Sequence, residues 1–156
     1  MAKRKRVEEF RLLGRSDVKL PASPAEARLE TFPNPAPQRN YRIHFETDDF
    51  TSVCPITGQP DFARIDIDYV PDGLCIESKS LKFYLASYRN ERAFNEAVTN
   101  HILDDFVKAC SPREVTVTAQ FSARGGIALT VSAEYSEKRV EKGLTQRTQR
   151  SRRSLD

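Results

Sequence analysis

The chain has 156 residues, 38% of them hydrophobic and 30% charged, enough for one domain with a core of its own. No apolar run approaches the ~18 residues that a membrane-spanning helix needs, so a helical membrane span is excluded and no membrane partner is expected. The net charge of +3 sits in the ends, since residues 1–15 and 137–156 carry +4 each and leave 16–136 at −5; a nucleic-acid-binding domain, with its basic surface on the folded part, is disfavoured.

In chain order, residues 1–40 begin with Lys3-Arg4-Lys5-Arg6 and no apolar segment follows, so this is no secretory signal and cytoplasm is the expected compartment. Pro21, Pro24, Pro33, Pro35 and Pro37 oppose a continuous helix or strand. Residues 1–40 therefore read as an extended arm, with one candidate helix over Val7–Leu13, set against a neighbouring subunit or disordered. Tyr41–Phe45 alternates apolar and polar residues and predicts a half-buried strand. Thr47 to Asp61 reads as a loop. Ala63–Val70 is a second strand, with Ile65, Ile67 and Tyr69 on one face, closed by the Pro71-Asp72-Gly73 turn.

Gly73–Ile76 is an apolar approach to Glu77–Asn90, in which Leu81, Leu85 and Tyr88 recur at helical spacing. The pattern is a strand end feeding a helix, with Glu77 to Ser80 at the joint. Free backbone N–H groups and two lysines beside one carboxylate suit an anionic or hydrogen-bonding ligand. A capped helix start with a solvated basic face is the alternative. Glu91–Cys110 predicts a longer helix, with Phe94, Val98, Ile102 and Phe106 in one row. Two alternating runs, Glu114–Phe121 and Ile127–Tyr135, flank Arg124-Gly125-Gly126 and predict a hairpin. Residues 137–156 lack apolar periodicity and read as a disordered or loosely ordered basic tail.

The organisation is thus an arm (1–40), a domain (41–136) and a tail (137–156). The class is α+β, ordered ββααββ: a four-stranded antiparallel sheet with two helices on one face. Such a sheet covers half of its apolar surface, and a closed ring of subunits would remove its edges.

Three cysteines without close pairing argue against disulfides, and with no Cys-x-x-Cys or His-x-x-x-His spacing no metal is expected. Cys75 and Cys110 lie in apolar surroundings and read as core. Cys54 lies in a polar loop, where nucleophiles tend to sit, although a buried structural role is the commoner fate of a lone cysteine. A thiolate there would be a soft, strong nucleophile toward an electrophilic carbon, and Asp61, at the far end of the same loop, can fold back as an acid; a turn residue after Pro60 is its plain alternative.

Two segments carry a resemblance. Glu77-Ser78-Lys79-Ser80-Leu81-Lys82-Phe83-Tyr84, with Ser87-Tyr88-Arg89-Asn90, is similar to the signature of the NADPH-dependent nitrile reductases that act on 7-cyano-7-deazaguanine. Ser52-Val53-Cys54-Pro55-Ile56-Thr57-Gly58-Gln59-Pro60-Asp61 resembles the nucleophile loop of the same family, and the likeness spans about residues 41–135. The resemblance implies a tunnelling fold, related to that of GTP cyclohydrolase I, whose subunits associate into a barrel with active sites between neighbours. It implies a homo-oligomeric enzyme of queuosine biosynthesis, a tRNA modification, with NADPH as cofactor and a 7-deazaguanine as substrate. Cys54 would form a covalent thioimide and Asp61 would donate the proton. Ile76, Glu77 and Ser78 would lie along the substrate, with Glu96 accepting from its guanine-like edge. Asn95 stands where the family usually has histidine. Lys79, Ser80, Lys82 and Arg89 would meet the NADPH phosphates, with no order among them; no Gly-x-Gly-x-x-Gly supports a Rossmann site. The competing readings are a tunnelling-fold pterin or purine enzyme of the GTP cyclohydrolase I type, and an RNA-binding module using the basic tails. A stable nucleic-acid partner is not expected.

Overall fold

A computed structural model describes residues 19–137; the candidate helix over Val7–Leu13 and all but the first residue of the 137–156 tail lie outside the described residues. The elements are β1 (Thr31–Pro33), β2 (Ile43–Val53), β3 (Pro60–Val70), β4 (Leu74–Ile76), α1 (Ser78–Ala86) running into a 3-10 turn (Ser87–Asn90), α2 (Asn95–Cys110), β5 (Glu114–Arg124) and β6 (Ile127–Ser136). The main sheet is antiparallel in the order β2-β3-β5-β6, and β1 pairs with β4 in a separate two-stranded ladder.

Alternation builds the core. Ala63, Ile65, Ile67 and Tyr69 of β3 and Val115, Val117, Ala119 and Phe121 of β5 are buried on one face. Val98, Ile102 and Phe106 of α2 press on that face with no exposed surface, each such side chain stabilising the fold by roughly 1.5–3 kcal/mol. The Tyr69 and Phe106 rings meet edge to face at 4.8 Å. Leu129, Val131, Ala133 and Tyr135 of β6 face the same way and are only partly buried. The hairpin turns through Gly125 and Gly126 at φ 57° and 79°, the positive values that a two-residue turn of this kind requires.

Four expectations change. β2 does not stop at Phe45: its pairing with β3 runs from Ile43↔Tyr69 to Val53↔Pro60, broken by a bulge between Thr47 and Phe50. The loop therefore shrinks to Cys54–Gln59. Within the stretch read as an arm, Thr31–Pro33 forms a strand, and Ala27 and Leu29 pack on the core. α2 starts at Asn95 rather than Glu91, because the segment before it is held extended by β2: Val53 N–H donates to Glu91 O (2.9 Å) and Ala93 N–H to Val53 O (3.2 Å). Phe94, the residue before the first turn, consequently leaves the predicted core row and is 59% exposed. Last, the face away from the helices is polar rather than apolar. His44, Glu46, Arg64, Asp66 and Asp68 hydrogen-bond across β2 and β3, and Thr118 meets Ser132 on β5 and β6 at 3.0 Å.

Candidate active site

The loop joining β2 to β3 is closed on itself. Cys54 N–H donates to Gln59 O (2.8 Å) and Gly58 N–H to Cys54 O (3.0 Å). Gly58 sits at φ +71°, with the Arg92 guanidinium lying over it, a backbone conformation costly for residues with a Cβ. The half-buried Cys54 thiol is brought down to about 7. The Thr57 hydroxyl is the main cause, and the backbone N–H groups of Thr57 and Ile56 add to it; burial and the nearby Asp61 charge oppose it. A thiol in this state is substantially thiolate near neutral pH, the form that attacks carbon.

Asp61 is placed by the β3 alternation. It precedes Ala63 and Ile65 on the inward row, pairs in register with Ser52, and is 8% exposed. Its partner is Arg124 at the end of β5, whose Nη2 lies 2.9 Å from Asp61 Oδ1 and donates to Pro60 O at 2.6 Å. The structure thus brings the Cys54 loop, Asp61 and Arg124 to one end of the sheet. The hydrogen bonds of Val53 tie the entry to α2, and with it Asn95 and Glu96, to the base of the same loop. Glu96 is exposed in the first turn of α2. The Asn95 Oδ1 and Ser52 Oγ atoms are buried without a hydrogen-bond partner, an arrangement that is costly unless a ligand or water completes it.

The Glu77 segment forms a second group, at the start of α1. Its backbone N–H groups are not open to a ligand: the Glu77 carboxylate caps the helix, accepting from Lys79 N–H (2.8 Å) and Ser80 N–H (2.7 Å). Glu77 is 6% exposed and Ile76 is 3% exposed; Ile76 N–H donates to the Tyr69 hydroxyl. Ser80 is fully buried, donating to Glu77 O and accepting from Glu30 N–H. Arg89 donates to Pro21 O and Ala86 O, fastening the N-terminal segment to the helix end. Ser78 and Lys82 are exposed, and both line a cavity of about 370 Å³ floored by Phe45, Phe50, Leu81 and Leu85; Cys54 and Asp61 are not in its wall.

On the polar face, His44, Glu46 and Asp66 bring donor atoms within 4.8 Å of one another, with Arg64 already bonded to both carboxylates. Of the residues at the Cys54 end, Thr57, Arg92 and Arg124 were not singled out from sequence. Thr57 lies inside the nucleophile-loop motif without standing out from it, and Arg124 lies beside the glycine turn, a signal that reads as turn chemistry alone.

A family model described as "QueF-like protein" matches residues 60–140. The NADPH-dependent 7-cyano-7-deazaguanine reductase of Nitrosomonas europaea is 59% identical over 111 residues, 71% of this chain and 80% of that protein. The chain belongs to this reductase family. Proteins of the same description from Nitrosococcus oceani (53% identical, 76% of this chain, 91% of that one) and Syntrophus aciditrophicus (57%, 81% and 86%) agree. Among solved structures, the apo archaeosine synthase QueF-Like superposes with a TM-score of 0.57 at 28% identity, covering 60% of this chain and 91% of that one. The reductase family and this neighbour account for the α+β tunnelling fold, with its antiparallel sheet and two helices. Among the described residues no helix is long and apolar enough to cross a membrane.

Proposed function

We propose that the chain reduces the nitrile of 7-cyano-7-deazaguanine to the aminomethyl group with NADPH, in queuosine biosynthesis. The observation that carries the reading is the Cys54 thiol, lowered to about 7 by the donors of its own loop, with Asp61 at the start of the strand that follows that loop. The thiolate adds to the nitrile carbon, and the π pair moves to nitrogen, which takes a proton from the medium relayed through Asp61. Asp61 ends, as it began, as the carboxylate paired with Arg124, and the net product is a thioimide on Cys54. Arg124 holds Asp61 in place for that transfer. The substrate base rests against α2, where Glu96 accepts its N–H donors and Asn95, with its unpartnered Oδ1, accepts one more. Ile76, Glu77 and Ser78 flank the substrate across a subunit boundary, Ser78 by its side chain and the two buried residues by holding the backbone.

When bound, NADPH supplies the two hydrides that take the thioimide to the amine. The exposed Lys82 and the half-buried Lys79 fit its phosphates, and the cavity beside Lys82 and Ser78 fits an apolar ring face. Ser80 and Arg89 fit a supporting role, since their polar atoms are bonded within the chain. Two features of the sheet support closure into a ring of subunits: β2 and β6 are its outer strands, and the β6 inward row is only half covered. The reading keeps 41–136 as the catalytic unit, the flanking segments as arms, and the cytoplasm as its place.

The test is intact-protein mass spectrometry after incubation with 7-cyano-7-deazaguanine and no NADPH, with Cys54→Ala alongside. A gain of one substrate mass on the unaltered chain alone, discharged by NADPH, is the expected result. A folded protein that takes no adduct would sink the covalent mechanism.

A further inference from the structure

We infer that Ser52 is a positioning residue for Asp61: its buried hydroxyl receives the Asp61 carboxyl while that group carries a proton, as Arg124 receives it when it is a carboxylate. The inference deepens the reading of the Cys54 site as that of a nitrile reductase and rests on it for the reaction step only.

Four serine or threonine residues among those described have no exposed surface: Ser52, Ser80, Ser87 and Thr99. Three of them spend their hydroxyls inside the chain, Ser80 donating to Glu77 O (2.8 Å), Ser87 to Tyr84 O (2.5 Å) and Thr99 to Asn95 O (2.9 Å). Ser52 Oγ is the one of the four without a partner. A hydroxyl buried in that state destabilises the chain that carries it. Two residues before the nucleophile, such an exception points to a bond made during the reaction.

The ladder supplies the partner. Ser52 is opposite Asp61 in the β2–β3 register, and both side chains are buried on the inward face. Directly opposed residues on one face hold their Cβ atoms about 4.5–5.5 Å apart, a gap that a serine hydroxyl and a carboxyl close by turning about χ1. The next inward pair is Phe50 and Ala63, both apolar, so Asp61 is the polar neighbour that the ladder offers Ser52. β3 runs between β2 and β5. Asp61 therefore has Arg124 on its β5 flank, held at 2.9 Å through Oδ1, and Ser52 on its β2 flank.

The two flanks suit two protonation states. A guanidinium only donates and so favours the carboxylate; a hydroxyl accepts as well as donates. When Asp61 takes a proton from the medium, the charge that binds Arg124 is gone, and the new O–H donates to Ser52 Oγ. The acid then gives that proton to the nitrogen that has received the π pair, and the carboxylate swings back to Arg124. One proton enters and one is delivered. Beside Phe50 and Ala63 the neutral hydrogen bond keeps its strength, because little water competes for it.

Asp61→Asn stands in for the protonated acid, since an amide is neutral and has N–H donors. The test is therefore a cycle of thermal midpoints at neutral pH without substrate: the unaltered chain, Ser52→Ala, Asp61→Asn and the double variant. Ser52→Ala should hold or raise the midpoint in the unaltered background and lower it by roughly 3 °C in the Asp61→Asn background. An equal change in both backgrounds would overturn the pairing. Intact mass and NADPH oxidation then read the reaction. Ser52→Ala should slow adduct formation and turnover about tenfold with the KM for 7-cyano-7-deazaguanine unmoved, and Ser52→Thr should restore the rate. An unchanged rate in Ser52→Ala removes the role, and so does a folded Ser52→Thr as slow as Ser52→Ala, which would mark packing rather than loss of the hydroxyl. If the cycle shows the coupling while the unaltered chain forms no adduct, the nitrile chemistry fails and the pairing of Ser52 with Asp61 stands.

Discussion

Two places in the molecule gather backbone N–H groups around a negative charge, and they do opposite things with it. At the start of α1, Lys79 and Ser80 N–H groups point at an acceptor supplied by the chain itself, the Glu77 carboxylate, which is buried there. At the β2–β3 loop, the Ile56 and Thr57 N–H groups help to hold the half-buried Cys54 thiol below its ordinary value. The first arrangement is closed: donor and acceptor satisfy one another, and the yield is helix stability. The second is open, because its acceptor is also a nucleophile and leaves its donors partly idle whenever it bonds to carbon. Similar backbone chemistry gives a fastener in one place and a reaction centre in the other, and the difference lies in whether the acceptor can form another bond.

The widest separation between the two is expected from Cys54→Ala. The adduct should vanish and turnover should fall by at least about a thousandfold, while the α1 cap and the thermal midpoint stay as they were. An NADPH-oxidation assay beside a melting curve checks this. Next is pH. Only the thiolate attacks, so adduct formation should climb roughly tenfold per pH unit below the thiol value and level off above about 7; a rate flat across neutrality would remove the distinction between the two sites. Glu77→Ala should do the converse of the cysteine change. Losing a buried cap with two bonds costs about 2 kcal/mol, a fall of roughly 5 °C in Tm for a chain of this size, with the Cys54 alkylation profile unmoved. A shifted profile would join the two sites into one. The smallest effect belongs to Gly58→Ala. The added Cβ finds room, its nearest neighbour being Arg92 Nη2 at 3.5 Å, but the left-handed backbone costs about 1 kcal/mol. Calorimetry should show a drop of a few degrees, with a modest slowing of Cys54 alkylation as the donors lose their aim.

Most of the fold was legible because the strands that pack against helices obey a strict period. Ile65, Ile67 and Tyr69, and Val115, Val117 and Ala119, announce one buried face each, and Gly125-Gly126 announces the turn. The second half of β2 was hidden by its own bulge. Continuing the alternation from Phe45 would put Asp49 inward and Phe50 outward, so the strand was ended at the charges; the structure instead turns Phe50 and Ser52 inward. Phe94 was misplaced because an i+4 row cannot reveal that the residues before it are held by another strand. At the site, the Cys54 loop was visible as an ordered motif. Its working parts were less so: Arg124 reaches Asp61 only across strand pairing that periodicity does not number, and Glu77 looked like one charge among several until its bonds to Lys79 and Ser80 made it a cap. The approach of α2 to the Cys54 loop rests on two backbone hydrogen bonds of Val53, which no side chain advertises.

The bulge at Asp48 and Asp49 has a consequence for where chemistry is possible at all. It is a phase correction in a ladder of period two: both aspartates face outward, and everything after them arrives on the side that an uncorrected strand would deny it. A chain that lost one of the two would simply close the ladder and deliver Cys54 as before. A chain that kept both but straightened would carry Ser52 to the outer face and turn the whole Cys54 loop away from α2. The address of the nucleophile thus depends on the surplus residue being bulged out of the ladder, upstream of the loop and in contact with no reactant.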